Sequence, residues 1–209
     1  MKTLLPTFVF AIFASGALAA DFQAVTVGVK GGVPITNSFT SSGAGFNFDT
    51  KRYTVGPTIE FHIPHGLGIE VDALYKRLTF GTTGSPFFST RTTANSWEFP
   101  LLLKYRPGSD NPVHPYIAGG VSFRHLSGLQ EVRSFFDGTR LVTDDPFPLE
   151  NRFTAGFVIG GGIEFRPSQY FRIAPEFRYT RWGWENFRDP GGVWRSKQNQ
   201  AEVLLGITF

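Results

Sequence analysis

The chain has 209 residues, a length that suits one domain, and it contains no cysteine, so neither a disulfide framework nor a thiolate metal site can form. Its formal net charge of +3 is too small to favour a nucleic-acid partner. Aromatic residues make up 16% of the chain, yet the mean hydropathy is only −0.08. Many large apolar side chains in such a chain must alternate with polar ones, a pattern typical of β-strands.

The first 19 residues predict a secretory signal peptide. Lys2 supplies the positive start, an apolar run follows from Phe8 to Leu18, and Ala17-Leu18-Ala19 has the small residues of a cleavage site. An uncleaved anchor helix is the alternative, but the run is short for a membrane helix. We therefore expect a signal peptide at 1–19 and one domain at 20–209.

Eight segments of alternating apolar and polar residues follow, each as long as a tilted membrane strand. They cover Phe22–Val33, Arg52–Ile63, Leu67–Leu78, Ser96–Arg106, Val113–Arg124, Arg152–Arg166, Phe171–Trp182 and Asn199–Phe209. The connections between them are alternately long and short, and the long ones cover residues 35–51, 80–95, 125–151 and 183–198. Long extracellular loops and tight periplasmic turns are typical of outer-membrane barrels.

Alternation alone would also suit a soluble, lipocalin-like periplasmic carrier, whose apolar residues would face inward. The aromatic residues of the apolar phase favour a membrane, because they collect near the strand ends, where bilayer interfaces lie. The upper girdle is predicted to hold Tyr53, Tyr75, Trp97, Phe123, Phe153 and Tyr179, and the lower girdle Phe61, Tyr105, Phe165, Phe171 and Phe209. We therefore predict an all-β fold: an eight-stranded antiparallel up-and-down transmembrane β-barrel in the outer membrane of a Gram-negative cell envelope.

The polar phase then faces the barrel interior and carries charges of both signs. These are Glu60, Glu70, Asp72, Lys76, Glu98, Lys104, Arg124, Glu164, Arg166, Arg172, Glu176, Arg178 and Glu202. Side chains fill an eight-stranded barrel, so we expect an ion-paired plug, with inward glycines making room for the long side chains. A proton or ion path through the same charges is the alternative.

Four stretches together resemble the small outer-membrane β-barrel family, which includes OmpX and the transmembrane domain of OmpA. They are Gly28-Val29-Lys30-Gly31-Gly32, Pro100-Leu101-Leu102-Leu103-Lys104-Tyr105, Pro115-Tyr116-Ile117-Ala118-Gly119-Gly120 and Glu176-Phe177-Arg178-Tyr179. The alternating C-terminus that ends in Phe209 is similar to the signal read by the barrel assembly machinery. The resemblance implies a fold and an insertion partner; the family hosts several functions.

His125-Leu126-Ser127 resembles the His-x-Ser motif of outer-membrane lipid A deacylases, with Gly128 where that family usually has Asn. A triad needs a carboxylate that orients the histidine, and the nearest one, Glu131, is expected on a loop. We interpret His125 as an ordinary residue at a loop edge. No catalytic residue, cofactor or metal site is predicted, and the chain is not expected to be an enzyme.

Arg77 and Arg181 continue the lipid-facing phase above the upper girdle, where guanidinium groups could bind lipopolysaccharide phosphates. Simple solvation at a loop base is the alternative. The long connections leave exposed aromatic residues that could form a binding surface or cover the barrel mouth: Phe135-Phe136, Pro146-Phe147-Pro148, Trp184 and Trp194. We expect a monomeric barrel with a structural or surface-interaction role, surrounded by outer-membrane lipid and lipopolysaccharide. A narrow porin and a lipid A-modifying enzyme are the alternatives.

Overall fold

The computed structural model describes residues 25–41, 45–48, 52–83, 87–108, 113–146, 149–168 and 170–209, so the predicted signal peptide lies outside the described residues. None of the described segments forms a helix that could cross a bilayer. The described chain contains these strands, in order: β1 (Val25–Pro34), β2 (Phe39–Ser41), β3 (Phe46–Phe48), β4 (Thr54–Ile63), β5 (Leu67–Asp72), β6 (Leu74–Thr82), β7 (Phe88–Tyr105), β8 (Val113–Phe135), β9 (Arg140–Thr143), β10 (Phe153–Ser168), β11 (Phe171–Trp182), β12 (Trp194–Ser196) and β13 (Asn199–Thr208).

Nine of these strands form eight wall segments, which pair in sequence order and close into a barrel. The wall runs β1, β4, β5 with β6, β7, β8, β10, β11 and β13, and β13 returns to pair with β1. Every pairing is antiparallel. The stagger of the barrel is found by starting at Val25 of β1 and moving from each residue to its paired partner on the next strand. One circuit of the wall ends at Ile35, directly after β1, so the stagger is ten residues. The predicted eight-stranded barrel is confirmed, and its stagger tilts the strands across the wall.

The third wall segment is interrupted at Ala73, where a single continuous strand over Leu67–Leu78 was expected. Its neighbour across the sheet is Pro57, which has no amide hydrogen to donate. Ala73 still donates its own N–H to the Pro57 carbonyl at 3.0 Å, but receives no bond in return. The wall therefore continues as β5 and β6, in the same register on either side of the gap.

Three wall strands extend well beyond the predicted limits on the side of the long connections. Residues 80–82, 88–95 and 125–135, expected in loops, instead form the paired ends of β6, β7 and β8. The short strand β3 adds to β6 and β9 adds to β8, so that a sheet of five strands stands above the barrel. A bulge interrupts the pairing of β7 with β8 between Thr93 and Asn95. The facing part of β8 contains Gly128, whose φ of 54° favours glycine.

Candidate functional site

The apolar phase of the wall faces outward and the charged phase faces inward. Phe157 and Ile159, at mid-wall, are 74% and 63% exposed, whereas Glu70 and Arg178 are 2% and 1% exposed. A soluble barrel would show the reverse arrangement, with its apolar phase buried. The outer surface of the wall therefore consists of apolar side chains around the whole circumference, as contact with a bilayer requires.

A cluster of three cations and three carboxylates occupies the centre of the interior. The central cluster consists of Lys30, Glu70, Asp72, Lys104, Glu176 and Arg178. The Arg178 guanidinium lies 2.9 Å from an Asp72 oxygen, 2.6 Å from Glu176 and 3.3 Å from Glu70. Lys30 pairs with Glu70 and also lies 3.0 Å from Glu176, while Lys104 pairs with Glu70. Each charge therefore has an opposite charge within bonding distance, as burial demands.

Two further groups of ion pairs lie above and below the central cluster. On the extracellular side, Glu98 accepts Lys76 at 3.0 Å and Arg124 at 2.7 Å, and Glu202 lies 3.2 Å from Lys76. The Arg124 guanidinium also stacks on the Trp182 ring at 3.9 Å. Glu98 thus bonds residues of the two neighbouring strands, β6 and β8, whereas the bond from Lys76 to Glu202 joins β6 to β13 across the interior.

On the periplasmic side, Arg106 bridges two carboxylates, at 2.5 Å from Glu60 and 3.0 Å from Glu164. Arg166 lies 2.7 Å from Glu164, and Arg172 lies 2.6 Å from the His62 ring nitrogen. Arg166 and Arg172 are only partly buried, because they lie at the periplasmic mouth of the barrel.

The structure thus brings the thirteen predicted interior charges to the inward face, eleven of them buried and two at the mouth. It adds two cations that the sequence analysis omitted, Lys30 and Arg106. Both could have been found from the same alternation, since Arg106 is two residues beyond Lys104 and Lys30 follows the inward Thr26 and Gly28. An inward glycine makes room at one such point: a Cβ at Gly68 would stand only 2.5 Å from a Glu60 carboxylate oxygen and 3.2 Å from an Arg106 guanidinium nitrogen.

An apolar cluster closes the interior above the charges. This apolar cap consists of Phe39, Leu78, Phe80, Ala94, Leu126, Leu129, Phe187 and Trp194. Its rings pack closely, with Phe39 and Phe80 centroids at 4.6 Å and Phe80 and Phe187 at 5.0 Å. Between the cap and the Glu98 pairs remains an enclosed void of about 10 Å³, room for at most one water molecule. Of the two roles considered for these aromatic residues, Trp194 has the second, because β12 turns it into the cap that covers the barrel mouth. Phe136 and Trp184 are exposed, Phe135 is partly buried, and Phe147 lies outside the described residues.

The predicted girdle residues all lie on the outer wall. In the upper girdle, Tyr53 and Tyr75 approach to 6.3 Å, Tyr75 and Trp97 to 5.2 Å, and Phe123 and Phe153 to 6.0 Å between ring centroids. The Tyr75 and Tyr179 hydroxyls donate to the side chains of Asn95 and Asn199, both at 2.9 Å. Phe61, Tyr105 and Phe165 are exposed at the lower ends, and Phe209 lies 5.7 Å from Phe171. Rings with polar tips directed away from hydrocarbon are typical of membrane interfaces.

The two arginines considered for lipid phosphates lie on opposite walls. Arg77 is on β6 and Arg181 on β11, and β7, β8 and β10 stand between them along the wall. Arg181 donates to Asn199 at 3.1 Å. The two therefore cannot share one ligand.

His125 lies inside β8, not at a loop edge as expected, and its side chain points outward. It stands in register with Trp97 and Phe153, among aromatic girdle residues. Glu131 is also in β8 and not on a loop; beyond the bulge its side chain turns inward, is buried, and pairs with Arg133 at 3.0 Å. The carboxylate that the sequence offered to His125 and Ser127 thus faces the opposite side of the sheet.

Comparisons with known proteins place the chain among barrels of this kind. The family described as outer membrane protein beta-barrel domain matches residues 15–184. The 25 kDa outer-membrane immunogenic protein of Brucella abortus biovar 1 (strain 9-941) is 26% identical over 112 residues, which are 53% of this chain and 46% of that protein. The chain spans about half the length of the curated relatives it matches.

Two solved structures illustrate the likeness in fold. OprG from Pseudomonas aeruginosa is similar with a TM-score of 0.52 and 12% identity, over 88% of this chain and 92% of that chain. The outer membrane protein W of E. coli is similar with a TM-score of 0.48 and 12% identity, over 89% and 96%.

Proposed function

Since the chain belongs to the family of outer-membrane protein β-barrel domains and is an outer-membrane protein, we propose that it is a sealed barrel that conducts no solute and displays a rigid β-sheet at the cell surface. The observation that carries this proposal is the filled interior. Ion pairs occupy the barrel through the membrane, and the apolar cap covers them on the extracellular side.

A solute would have to displace both layers to pass. Opening the charged layer would separate buried ion pairs, at a cost of several kcal/mol for each uncompensated charge. Opening the apolar cap would expose Phe39, Phe187 and Trp194 to water. The narrow-porin alternative therefore requires a rearrangement of the whole interior, whereas a structural plug requires none.

The surface role is supported by the strands that rise above the girdle. β7 continues for nine residues beyond Trp97 to Phe88, which corresponds to roughly 20 Å at about 3.3 Å per residue and a tilt near 45°. At the far end, Phe87 and Phe136 are exposed, as are Leu141 and Val142 of β9. Exposed apolar side chains on an ordered sheet suit contact with another macromolecule. A relative named as immunogenic is consistent with exposure at the surface.

Conductance in planar bilayers tests the sealed interior. The mature protein, refolded and checked for heat-modifiable gel migration, is expected to give the same current as a protein-free bilayer. The double variant F187A/W194A, which opens the apolar cap alone, is expected to stay silent because the ion pairs below remain. Current steps that scale with the amount of folded unmutated protein would contradict the proposal.

Whole-cell binding tests the surface role separately. Cells that display the protein are compared with cells that display the variant F136S/L141S, which makes the end of the β8–β9 hairpin polar. We expect loss of adhesion to host-cell or matrix surfaces, with equal amounts of barrel in the outer membrane. Equal adhesion by both strains would remove the surface role and leave the sealed interior in place.

A further inference from the structure

A groove lies on the outer wall immediately above the upper girdle. It has a volume of about 450 Å³, which is in the range of ligand sites. Its polar lining, called here the girdle groove, comprises Arg77, Thr93, Asn95, Gln130, Asp144 and Arg152. The groove spans β6, β7 and β8, and the last two lining residues come from the connection between β9 and β10.

The height of the girdle groove follows from the strands that form it. Arg77 is two residues beyond Tyr75 on β6, and Asn95 is two residues beyond Trp97 on β7. Two residues of a tilted strand rise about 5 Å. The groove therefore begins where hydrocarbon ends and polar headgroups begin, so that whatever occupies it must stand beside the acyl chains of the outer leaflet.

The charges in the girdle groove favour an anion. Within the described chain no carboxylate pairs with Arg77. Arg152 forms only an exposed pair with Asp145 at 3.1 Å, which water screens and a stronger anion can replace. The carboxylates of Asp144 and Asp145 match the two guanidinium groups in number. Of the two arginines, however, only Arg152 forms an ion pair with a described carboxylate, so the Arg77 guanidinium is available to an anion. Guanidinium binds phosphate through two parallel hydrogen bonds.

We propose that the girdle groove binds the phosphorylated sugar headgroup of lipopolysaccharide. Arg77 and Arg152 contact a phosphate, and Thr93, Asn95 and Gln130 offer hydroxyl and amide groups to the sugar. The acyl chains lie below on the outer wall, against Trp97 and Phe123. Arg181, also two residues beyond a girdle tyrosine but on the opposite wall, is not part of this site.

The test titrates the refolded protein in detergent micelles with lipid A, in its phosphorylated form and in a chemically dephosphorylated form with the same acyl chains. Bound lipid is counted by native mass spectrometry. We expect the phosphorylated form to bind at least about tenfold more tightly, and the double variant R77Q/R152Q to lose that advantage. The matched control R181Q, which removes a lipid-facing arginine at the same height, is expected to change binding less than twofold.

Three outcomes would overturn the proposal. The first is equal binding of the two lipid forms, and the second is an equal loss in R181Q and R77Q/R152Q. The third is displacement of lipid A by millimolar inorganic phosphate, because the site would then be one for the free anion. Heat-modifiable migration of every variant shows that a loss of binding does not come from a loss of fold.

Discussion

Removal of Arg178 should destabilise the barrel more than removal of an arginine from an exposed ion pair. Arg178 contacts all three carboxylates of the central cluster, at 2.6–3.3 Å. Lys30 also reaches all three, but lies 3.5 Å from Asp72. The variant R178M leaves Lys30 and Lys104 against Glu70, Asp72 and Glu176, so one buried negative charge has no counterpart. Breaking a buried ion pair from one side costs about 3–5 kcal/mol.

The magnitude can be measured by reversible urea unfolding in phospholipid vesicles, followed by tryptophan fluorescence. With a slope on the order of 2 kcal/mol per molar urea, the midpoint should fall by roughly 1.5–2.5 M. The exposed pair of Arg195 with Glu185, at 3.5 Å, supplies the control, and R195M should lose less than about 1 kcal/mol. The conservative variant R178K keeps the charge and should lose an intermediate amount.

A second substitution distinguishes charge imbalance from lost packing. D72L in the R178M background restores two cations to two carboxylates, and it should recover at least half of the lost stability, since replacing a whole buried pair by apolar residues is often nearly neutral. If R178M costs no more than R195M, or if D72L adds a further loss, the interior charges do not act as a balanced cluster.

Three further substitutions test other parts of the structure. I159R places a charge on the lipid-facing wall and should lower the free energy of unfolding in vesicles by about 2–4 kcal/mol. The control V142R, on the exposed extracellular strand β9, should lower it by less than about 0.5 kcal/mol. Equal losses would argue against a membrane around Ile159. G128V puts a β-branched side chain at a φ of 54°, and should cost on the order of 1–3 kcal/mol and increase hydrogen exchange in residues 126–135. The control G108V places the same side chain at a φ of 75° in the turn between β7 and β8, at the opposite end of the barrel, and should leave that exchange unchanged. W194A removes the largest ring of the apolar cap and should accelerate proteolysis within residues 183–198 without changing heat-modifiable migration. Cleavage of W194A at the same rate as the unmutated protein would show that the cap does not hold that segment in place.

The membrane-spanning part of the wall could be predicted because one rule governs it. Lipid on one side and an ion-paired interior on the other impose a period of two on each strand. The predicted bounds of Phe171–Trp182 agree with β11 residue for residue, and those of the last strand differ only at Phe209. The same rule could have added Lys30 and Arg106 to the interior charges.

The extracellular extension could not be predicted in the same way. Residues 88–95 combine serine, threonine and arginine because their outer face meets water, so the contrast between the two faces disappears. In β8 the bulge at Gly128 breaks the period, and Leu126 and Leu129 both face inward although they are three residues apart. The pattern along a single strand also cannot predict which charges pair, because partners such as Arg178 and Asp72 meet across the barrel interior.

At the height of the upper girdle the outer wall changes from apolar to polar, and at the same height the interior changes from charged to apolar. On β6, the outward residues pass from Tyr75 to Arg77, whereas the inward residues pass from Lys76 to Leu78. In lipid, apolar side chains gain nothing by turning inward, so polar groups occupy the interior and satisfy one another. Above the lipid, water surrounds the wall and the hydrophobic effect again directs apolar side chains inward. The apolar cap therefore marks the upper membrane boundary from inside the barrel, independently of the aromatic girdle, and both place Arg77 at the level of the headgroups.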